Sequence, residues 1–321
     1  MPIFKKDSNK IIADNQTGFG SNAANYGGRF ITKNGQPNVV KKGLSFFDQI
    51  SWFHTMLDIP AWKFHCIIFS FFLIINFLFA SIYFGIGTQN LNGITATSTW
   101  GKFAQTYFFS TQTFTTVGYG HISPNGFLTS AVASIQALVG LLSFALATGL
   151  LYGRFSKPKA HLKFSDNALI APFKNHNALM IRLAPFKNTN LTDAEAKITL
   201  GMVVEENGFF VNKFFPLNLE YDKVNSLTLS WTLVHPIDEN SPLYQFTKDD
   251  FFKNRIEILV FIKAFDEMFS NIVVTRSSYL FNEVIFGAKF IQMYEHSLDD
   301  TKTILHLDKL NLFEKVVLNA N

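Results

Sequence analysis

The residues with the clearest chemical meaning form a short run with alternating glycines, Thr116-Val117-Gly118-Tyr119-Gly120. We name residues 116–120 the filter segment. Glycine lacks Cβ and adopts backbone conformations that other residues rarely reach, so successive carbonyl groups can turn to one side of the chain. Stacked rings of carbonyl oxygens replace the water around a monovalent cation, and the Thr116 hydroxyl adds a further ring at the deepest level. The filter segment therefore predicts a binding site for dehydrated monovalent cations.

The sequence before the filter segment predicts a helix that positions it. Residues 98–115 have a helical sequence, with Ser98 or Thr99 as the cap. The connection that contains this helix is about forty residues long, which is too long and too apolar for a simple exposed loop. We predict a re-entrant pore helix whose C-terminal partial negative charge favours a cation. Phe108 and Phe109 are expected to brace the outward side chains of Val117 and Tyr119.

Two uncharged stretches flank this connection, residues 64–86 and residues 127–153. Each is long enough to cross a hydrocarbon core about 30 Å thick. Lys102 is the only Asp, Glu, Lys or Arg between Lys63 and Arg154, whereas helices in soluble cores rarely lack charge on every face. Cations gather before the first stretch and after the second, which predicts that both termini are cytoplasmic.

Composition excludes several other classes of protein. Charged residues make up 16% of the 321 residues, against about 25% in ordinary soluble domains. Cys66 is the single cysteine, so a disulfide framework or a multi-cysteine metal cluster is excluded. The net charge of +4 is spread along the termini, so we expect no nucleic-acid binding. We find no nucleophile and base pair, phosphate loop or metal-ligand spacing, so an enzyme is not expected, and His54, His65 and His121 stay unassigned as ligands.

An amphipathic pattern precedes the first apolar stretch, with apolar residues at helical spacing at Phe46, Ile50, Phe53 and Leu57. It predicts a helix over residues 45–59 that lies in the membrane interface. Pro60 ends this helix, because proline disfavours helical geometry in the residue before it. The alternative is a cytoplasmic helix that packs on a soluble domain.

The C-terminal half, from about Lys159 onward, predicts an all-β sandwich. Apolar residues alternate with polar ones at Leu227, Leu229, Trp231 and Leu233, and again at Ile256, Ile258, Val260 and Ile262. Turn sequences such as Asn207-Gly208 separate the predicted strands. Thr247 is expected to open one short helix.

These features together resemble one family. The sequence TTVGYG at 115–120 is similar to the filter sequence of potassium channels. With two crossings, an amphipathic helix before them and a β-sandwich after them, the chain resembles the inward-rectifier potassium channel family, and its prokaryotic branch most closely. The resemblance covers about residues 40–300. It includes PFKNHNALMIRLA at 172–184, WTLVHPIDENSPL at 231–243 and FSKP at 155–158.

The resemblance implies a potassium-selective channel with K⁺ as the permeant ion and no organic cofactor. One chain supplies one pore loop and four loops are needed around the ion, so a homotetramer is implied. The implied domains are an N-terminal arm (1–44), an interfacial helix (45–59), a transmembrane pore domain (60–157) and a cytoplasmic immunoglobulin-like β-sandwich (158–321). The implied location is a bacterial-type inner membrane. The alternative function is a membrane-tethered sensory or adaptor protein whose pore does not conduct.

Gating and lipid residues also follow from the resemblance. Gly140 is the implied bending point of the inner helix, and Tyr152 occupies the implied cytoplasmic constriction, where it gates by dewetting. The alternatives are close helix packing at Gly140 and an interfacial anchor at Tyr152. Arg154, Lys157 and Lys159 are expected to contact anionic lipid, or they are ordinary cytoplasmic-side cations.

The chain departs from the animal members of that family at several positions. Gln112 and Ile122 stand where those members pair an acidic residue with an arginine, so hydrogen bonds and packing must stabilise the filter here. Phe144 replaces an acidic pore-lining residue, so we expect weak rectification. Glu195 matches an acidic vestibule residue that concentrates cations such as internal Mg²⁺ or polyamines, which block the pore in such channels. Its alternative role is a solvated carboxylate at a strand end.

Overall fold

The structure, a computed structural model, describes residues 28–43, 45, 51–187, 189–206, 208–297, 299 and 301–319. It divides into two compact units. One, here called the membrane unit, runs from Lys42 to Lys157. The other, here called the β unit, combines the described residues up to Lys41 with those from Pro158 onward.

Among its described residues, the membrane unit contains four α-helices: α1 (Trp52–Asp58), α2 (Ala61–Ile86), α3 (Thr99–Phe114) and α4 (Phe127–Phe155). Two short strands, β1 (Leu91–Asn92) and β2 (Ser123–Pro124), pair antiparallel between α2 and α4. Helices α2 and α4 are long and apolar enough to cross a membrane. Most of their side chains are exposed within one chain, unlike those of a core helix in a soluble protein. Both predicted crossings are confirmed.

The predicted pore helix and interfacial helix also have structural counterparts. Helix α3 begins after Ser98, whose hydroxyl accepts a hydrogen bond from the Gly101 backbone N–H (3.1 Å), so Ser98 is the cap. Helix α1 ends at Asp58, two residues before Pro60. The helix begins at Trp52, because Ser51 is extended (φ −86°, ψ 94°) and precedes the helix as its N-cap, so the described helix is shorter than the predicted range 45–59. Residues 46–50 lie outside the described part of the chain.

In the part of the chain that the structure describes, the β unit is built from antiparallel strands with one parallel pair. The strands are β3 (Leu162–Phe164), β4 (Ala168–Phe173), β5 (His176–Pro185), β6 (Leu191–Glu206), β7 (Phe209–Leu217), β8 (Lys223–Ser226), β9 (Trp231–Ile237), β10 (Glu257–Asp266), β11 (Asn271–Leu280), β12 (Val284–Phe286), β13 (Ala288–Phe290), β14 (Tyr294–His296), β15 (Thr303–Leu305) and β16 (Phe313–Lys315). One sheet has the order β11-β10-β6-β7, with β8 also on β6. The second has the order β12-β4-β5-β3, with β9 also on β5.

The core of the β unit lies between these two sheets. Leu179 and Ile181 of β5 are fully buried in one cluster with Leu200 of β6 and Ile258 of β10. Fully burying one such side chain stabilises a fold by about 1.5–3 kcal/mol. The predicted β-sandwich is confirmed, as is the short helix, α5 (Lys248–Lys253), which begins after Thr247.

The predicted strand around Leu227 is wrong in its bounds. Strand β9 starts at Trp231 and alternates buried and half-buried side chains to its end. Leu227 and Leu229 lie in the connection from β8 to β9. Leu227 is nevertheless buried, so its apolar character reflects packing against the core rather than a place in a strand.

An N-terminal stretch of the β unit packs against β10 and β11. The buried carboxylate of Glu257 accepts hydrogen bonds from the backbone N–H groups of Phe30 (2.7 Å) and Ile31 (3.3 Å). The Ser278 hydroxyl donates to the carbonyl of Ile31. Arg29 forms an ion pair with Glu283. This stretch is therefore held by side chains far away in the sequence.

We expect the stability of the β unit to depend on pH through Glu257. Burial raises the pKa of the Glu257 carboxyl above its ordinary value, while the two N–H donors oppose the shift. A raised carboxyl pKa means that the folded state binds the proton more tightly, so this stabilisation is lost as the pH rises above the ordinary glutamate value. The melting temperature of the wild type, relative to Glu257→Gln, should therefore fall as the pH rises from about 4. If the melting temperature of the wild type instead rises relative to that of Glu257→Gln as the pH rises, the hydrogen bonds from the two N–H groups to the carboxylate outweigh the effect of burial.

Candidate ion-conduction pathway

The filter segment has an alternating backbone. Thr116, Gly118 and Gly120 have positive φ angles of 59°, 53° and 81°, and the two residues between them do not. Alternation of left-handed and ordinary conformations turns successive carbonyl groups to a common side. A β-branched threonine is rarely left-handed, and strained residues of this kind cluster at ligand-binding sites.

The C-terminal end of α3 holds the filter segment directly. The carbonyl oxygen of Gln112 accepts hydrogen bonds from the backbone N–H groups of Val117 (3.0 Å) and Gly118 (3.4 Å). The carbonyl of Thr113 accepts one from the N–H of Thr116 (3.1 Å). Backbone hydrogen bonds from the end of the pore helix therefore position the first half of the filter segment.

The predicted aromatic brace is not seen within the chain. The ring of Phe109 packs against Tyr83 of α2, with 5.2 Å between centroids, and Phe108 is exposed. Val117 and Tyr119 are exposed as well. Phe109 faces α2 because α3 packs an apolar side against α2. The filter sequence alone does not determine which side of α3 packs there.

A mostly apolar cavity of about 590 Å³ joins the base of the filter segment to α4. Thr116, Gly140 and Phe144 all line it. Helix α4 continues unbroken through Gly140, and a Cβ added there would lie 2.0 Å from the carbonyl oxygen of Phe114. This geometry favours the close-packing interpretation of Gly140. Phe144 and Tyr152 are 75% and 73% exposed in a single chain.

The cations expected to contact lipid have different surroundings. Arg154 donates hydrogen bonds to the carbonyls of Met56 (2.5 Å) and Ile59 (2.7 Å), and its guanidinium lies 4.7 Å from the ring centroid of Phe64. Lys157 forms an ion pair with Asp58. Both residues therefore connect the end of α4 to the end of α1. Lys159, in the β unit, is exposed.

Glu195, the predicted vestibule residue, is half-buried on β6. Its cross-strand neighbours are Lys263 on β10 and Lys223 on β8. The ammonium of Lys197 lies 3.9 Å from its carboxylate. Lys197 therefore lies beside Glu195, and the strand register places two further lysines opposite it, so these cations offset its attraction for other cations.

The comparisons with known proteins agree with this geometry. A family model described as the inward rectifier potassium channel C-terminal domain matches residues 162–318, and one described as ion channel matches residues 64–157. The inward rectifier potassium channel Kirbac3.1 of Paramagnetospirillum magnetotacticum is 31% identical over 288 residues, which cover 88% of this chain and 95% of the relative. The chain belongs to the inward-rectifier potassium channel family.

Animal relatives of this channel match as well. The inward rectifier potassium channel irk-1 of Caenorhabditis elegans is 26% identical over 82% of the chain, and the match covers 52% of that protein. Inward rectifier potassium channel 18 of Homo sapiens is 26% identical over 82% of the chain and 65% of its own length. The chain is therefore a membrane protein and an ion channel rather than an enzyme, and K⁺ is the permeant ion that its family implies.

Four buried polar residues that bond to one another in the membrane unit of this channel were not predicted from the sequence. They are Asn76, Tyr83, Ser110 and Gln136, each at most 1% exposed. The available signal was the presence of amide side chains inside two uncharged apolar stretches, where polar groups are costly and usually have a purpose.

Proposed function

We propose that four copies of this chain surround one axis and conduct K⁺ through the oxygens of the filter segment. The observation that carries the proposal is the alternation of φ along residues 116–120, directly after a helix whose end is hydrogen-bonded to them. One chain supplies one such segment, and the tetramer that its family implies would close four segments into a ring with cyclic symmetry. Carbonyl oxygens and the Thr116 hydroxyl then replace the hydration shell of the ion. No organic cofactor is needed for this activity.

We expect the channel to lie in a bacterial-type inner membrane with both termini in the cytoplasm. Cations before α2 and after α4 support this orientation. Anionic lipid is expected at Arg154, Lys157 and Lys159, where each cation near an anionic surface contributes about 1 kcal/mol. Arg154 and Lys157 already bond to residues near the C-terminal end of α1. The exposed Lys159 is therefore the most available of the three cations for contact with lipid.

Rectification is expected to be weak. Phe144 offers no carboxylate beside the cavity, and the lysines around Glu195 reduce the local attraction for Mg²⁺ and polyamines. Block by these internal cations should accordingly require high concentrations.

We expect Tyr152→Ala to raise K⁺ flux several-fold at fixed lipid composition. Four exposed tyrosines near the cytoplasmic end of α4 narrow the path when the tetramer forms, and an apolar constriction gates by losing its water. Rubidium uptake into liposomes measures the change. Tyr152→Phe keeps the bulk and should conduct like the wild type. Unchanged flux in the alanine variant across several lipid mixtures would place the constriction elsewhere.

Ion flux tests the proposed function directly. Purified tetramers in liposomes should take up rubidium or potassium and be blocked by barium, which has nearly the size of K⁺ and twice its charge. Sodium entering equally well would contradict selectivity. Stable tetramers that pass no cation under any lipid or pH condition would favour the sensory or adaptor alternative.

A further inference from the structure

A set of hydrogen bonds joins three helices of the membrane unit, α2, α3 and α4. The amide nitrogen of Gln136 on α4 donates to the carbonyl (3.0 Å) and the hydroxyl (2.6 Å) of Ser110 on α3. The Gln136 amide oxygen accepts from the hydroxyl of Tyr83 on α2 (2.8 Å). The Ser110 hydroxyl lies 3.0 Å from the carbonyl of Asn76. Gln136 is thus the residue through which α4 bonds to both other helices.

These bonds lie where no water can replace them. Gln136, Ser110 and Asn76 have no exposed surface, and Tyr83 has 1%. Beside these hydrogen bonds, Phe79, Phe109 and Tyr83 belong to one apolar cluster. Because an unpaired amide or hydroxyl in such surroundings is costly, loss of one partner forces the helices to move or leaves a polar group unsatisfied.

A second contact fixes the same two helices one turn further along. Gly140 follows Gln136 by one turn of α4, and Phe114 follows Ser110 by one turn of α3. A Cβ on Gly140 would lie 2.0 Å from the carbonyl oxygen of Phe114, so the backbones touch at this point. The two contacting residues are therefore one turn apart on α3 and also one turn apart on α4. Together they define one register of α4 against α3.

This register ends at the filter segment. Phe114 is the last residue of α3, and Thr115 and Thr116 follow it directly. Any sliding or bending of α4 between Gln136 and Gly140 therefore displaces the carbonyls that hold the filter segment.

We propose that Gln136 and Gly140 are positioning residues for the filter, and that their two contacts with α3 set the selectivity of the pore. The proposal rests on the proposed function, since it concerns the quality of K⁺ selection by the same filter segment. It assigns Gly140 a role in selectivity in addition to any role in gating.

The test is the K⁺/Na⁺ permeability ratio of the full-length tetramer, measured from reversal potentials in planar bilayers. We expect Gln136→Leu to lower the ratio about tenfold, because the substitution removes the bonds from α4 to Ser110 and leaves the buried Tyr83 hydroxyl without its acceptor. Gly140→Ala should lower it at least as much. Gly149→Ala is the matched control on the same helix, because a Cβ there meets nothing within 4 Å, and its ratio should equal that of the wild type.

A milder variant keeps the test decisive if Gln136→Leu or Gly140→Ala fails to assemble. Tyr83→Phe removes one hydrogen bond and keeps the ring against Phe109, so it should assemble and lower the ratio about threefold. Ratios equal to the wild type in Gln136→Leu and Tyr83→Phe would overturn the inference, as would a Gly140→Ala channel that changes open probability alone. A wild type without selectivity would instead refute the proposed function.

Discussion

Gly118→Val is expected to abolish K⁺-selective flux. Gly118 has a φ of 53°, in the left-handed region, and a Cβ added there meets no atom within 4 Å. The cost is therefore one of backbone conformation rather than of space. For a residue with Cβ, this conformation costs about 1–2 kcal/mol, and more for a β-branched side chain. Four copies raise the cost to about 4–8 kcal/mol per ring, so the carbonyls around Gly118 should turn away from the ion path.

Rubidium uptake into liposomes, with and without barium, measures this loss. Gly149→Ala is the control, because Gly149 lies outside the filter segment, has no positive φ, and has no atom within 4 Å of an added Cβ. Its uptake should stay near that of the wild type. A Gly118→Val channel that still prefers rubidium over sodium would show that the left-handed conformation is not required.

Arg182→Met is expected to destabilise the β unit strongly. Arg182 on β5 is 3% exposed. Its guanidinium donates hydrogen bonds to backbone carbonyls of the C-terminal segment, at Ile291 (2.5 Å), Lys309 (2.6 Å), Leu310 (2.7 Å) and Leu312 (3.3 Å). Burial lowers the pKa of Arg182 to about 10, so the side chain remains charged at neutral pH. The Arg182 side chain thus holds the C-terminal segment to the second sheet.

The expected loss is about 3–5 kcal/mol, since hydrogen bonds to charged donors are strong and the carbonyls would be left unpaired. For a domain of this size, the melting temperature should fall by roughly 2–4 °C for each kcal/mol. Thermal unfolding followed by circular dichroism measures the shift. Arg276→Met is the matched control, because Arg276 is exposed on β11. Its guanidinium lies 5.4 Å from the ring centroid of Phe261, so we expect a loss of about 0.5–1 kcal/mol. Equal shifts in the two variants would show that the carbonyl contacts contribute little.

The membrane unit was predictable where local chemistry determines structure. The crossings followed from length and missing charge, and α3 followed from the Ser98 cap and its helical sequence. The alternating glycines at Gly118 and Gly120 required positive φ angles, which the structure has. The positive φ of Thr116 was not predictable, since nothing in a threonine side chain calls for that conformation.

Contacts between segments that are far apart in the chain could not be predicted from the sequence. The partners of Gln136 lie 26 and 53 residues away, and the carbonyls around Arg182 lie 109 to 130 residues away. A single sequence shows that such polar residues occur in apolar surroundings but not which groups they meet. The same limit applies to Arg154, whose position predicted a cytoplasmic-side cation and not its bonds to Met56 and Ile59.

The strands of the β unit were predictable where one face is buried. Alternation in β9 follows the two faces of a half-buried strand, whereas the first four residues of β10 are all buried. Leu227 breaks this rule, because a connection that crosses the edge of the core also buries an apolar side chain. Periodicity therefore indicates burial, and the bounds of a strand require its hydrogen-bonded partner.

The central claim is that main-chain oxygens of four filter segments coordinate K⁺ without its water. An anomalous difference map of the tetramer crystallised in rubidium tests it most directly. We expect a column of peaks on the fourfold axis, level with the carbonyls of Thr116, Val117, Gly118 and Tyr119. Side chains occupying that axis, or rubidium peaks found only away from residues 116–120, would contradict the account.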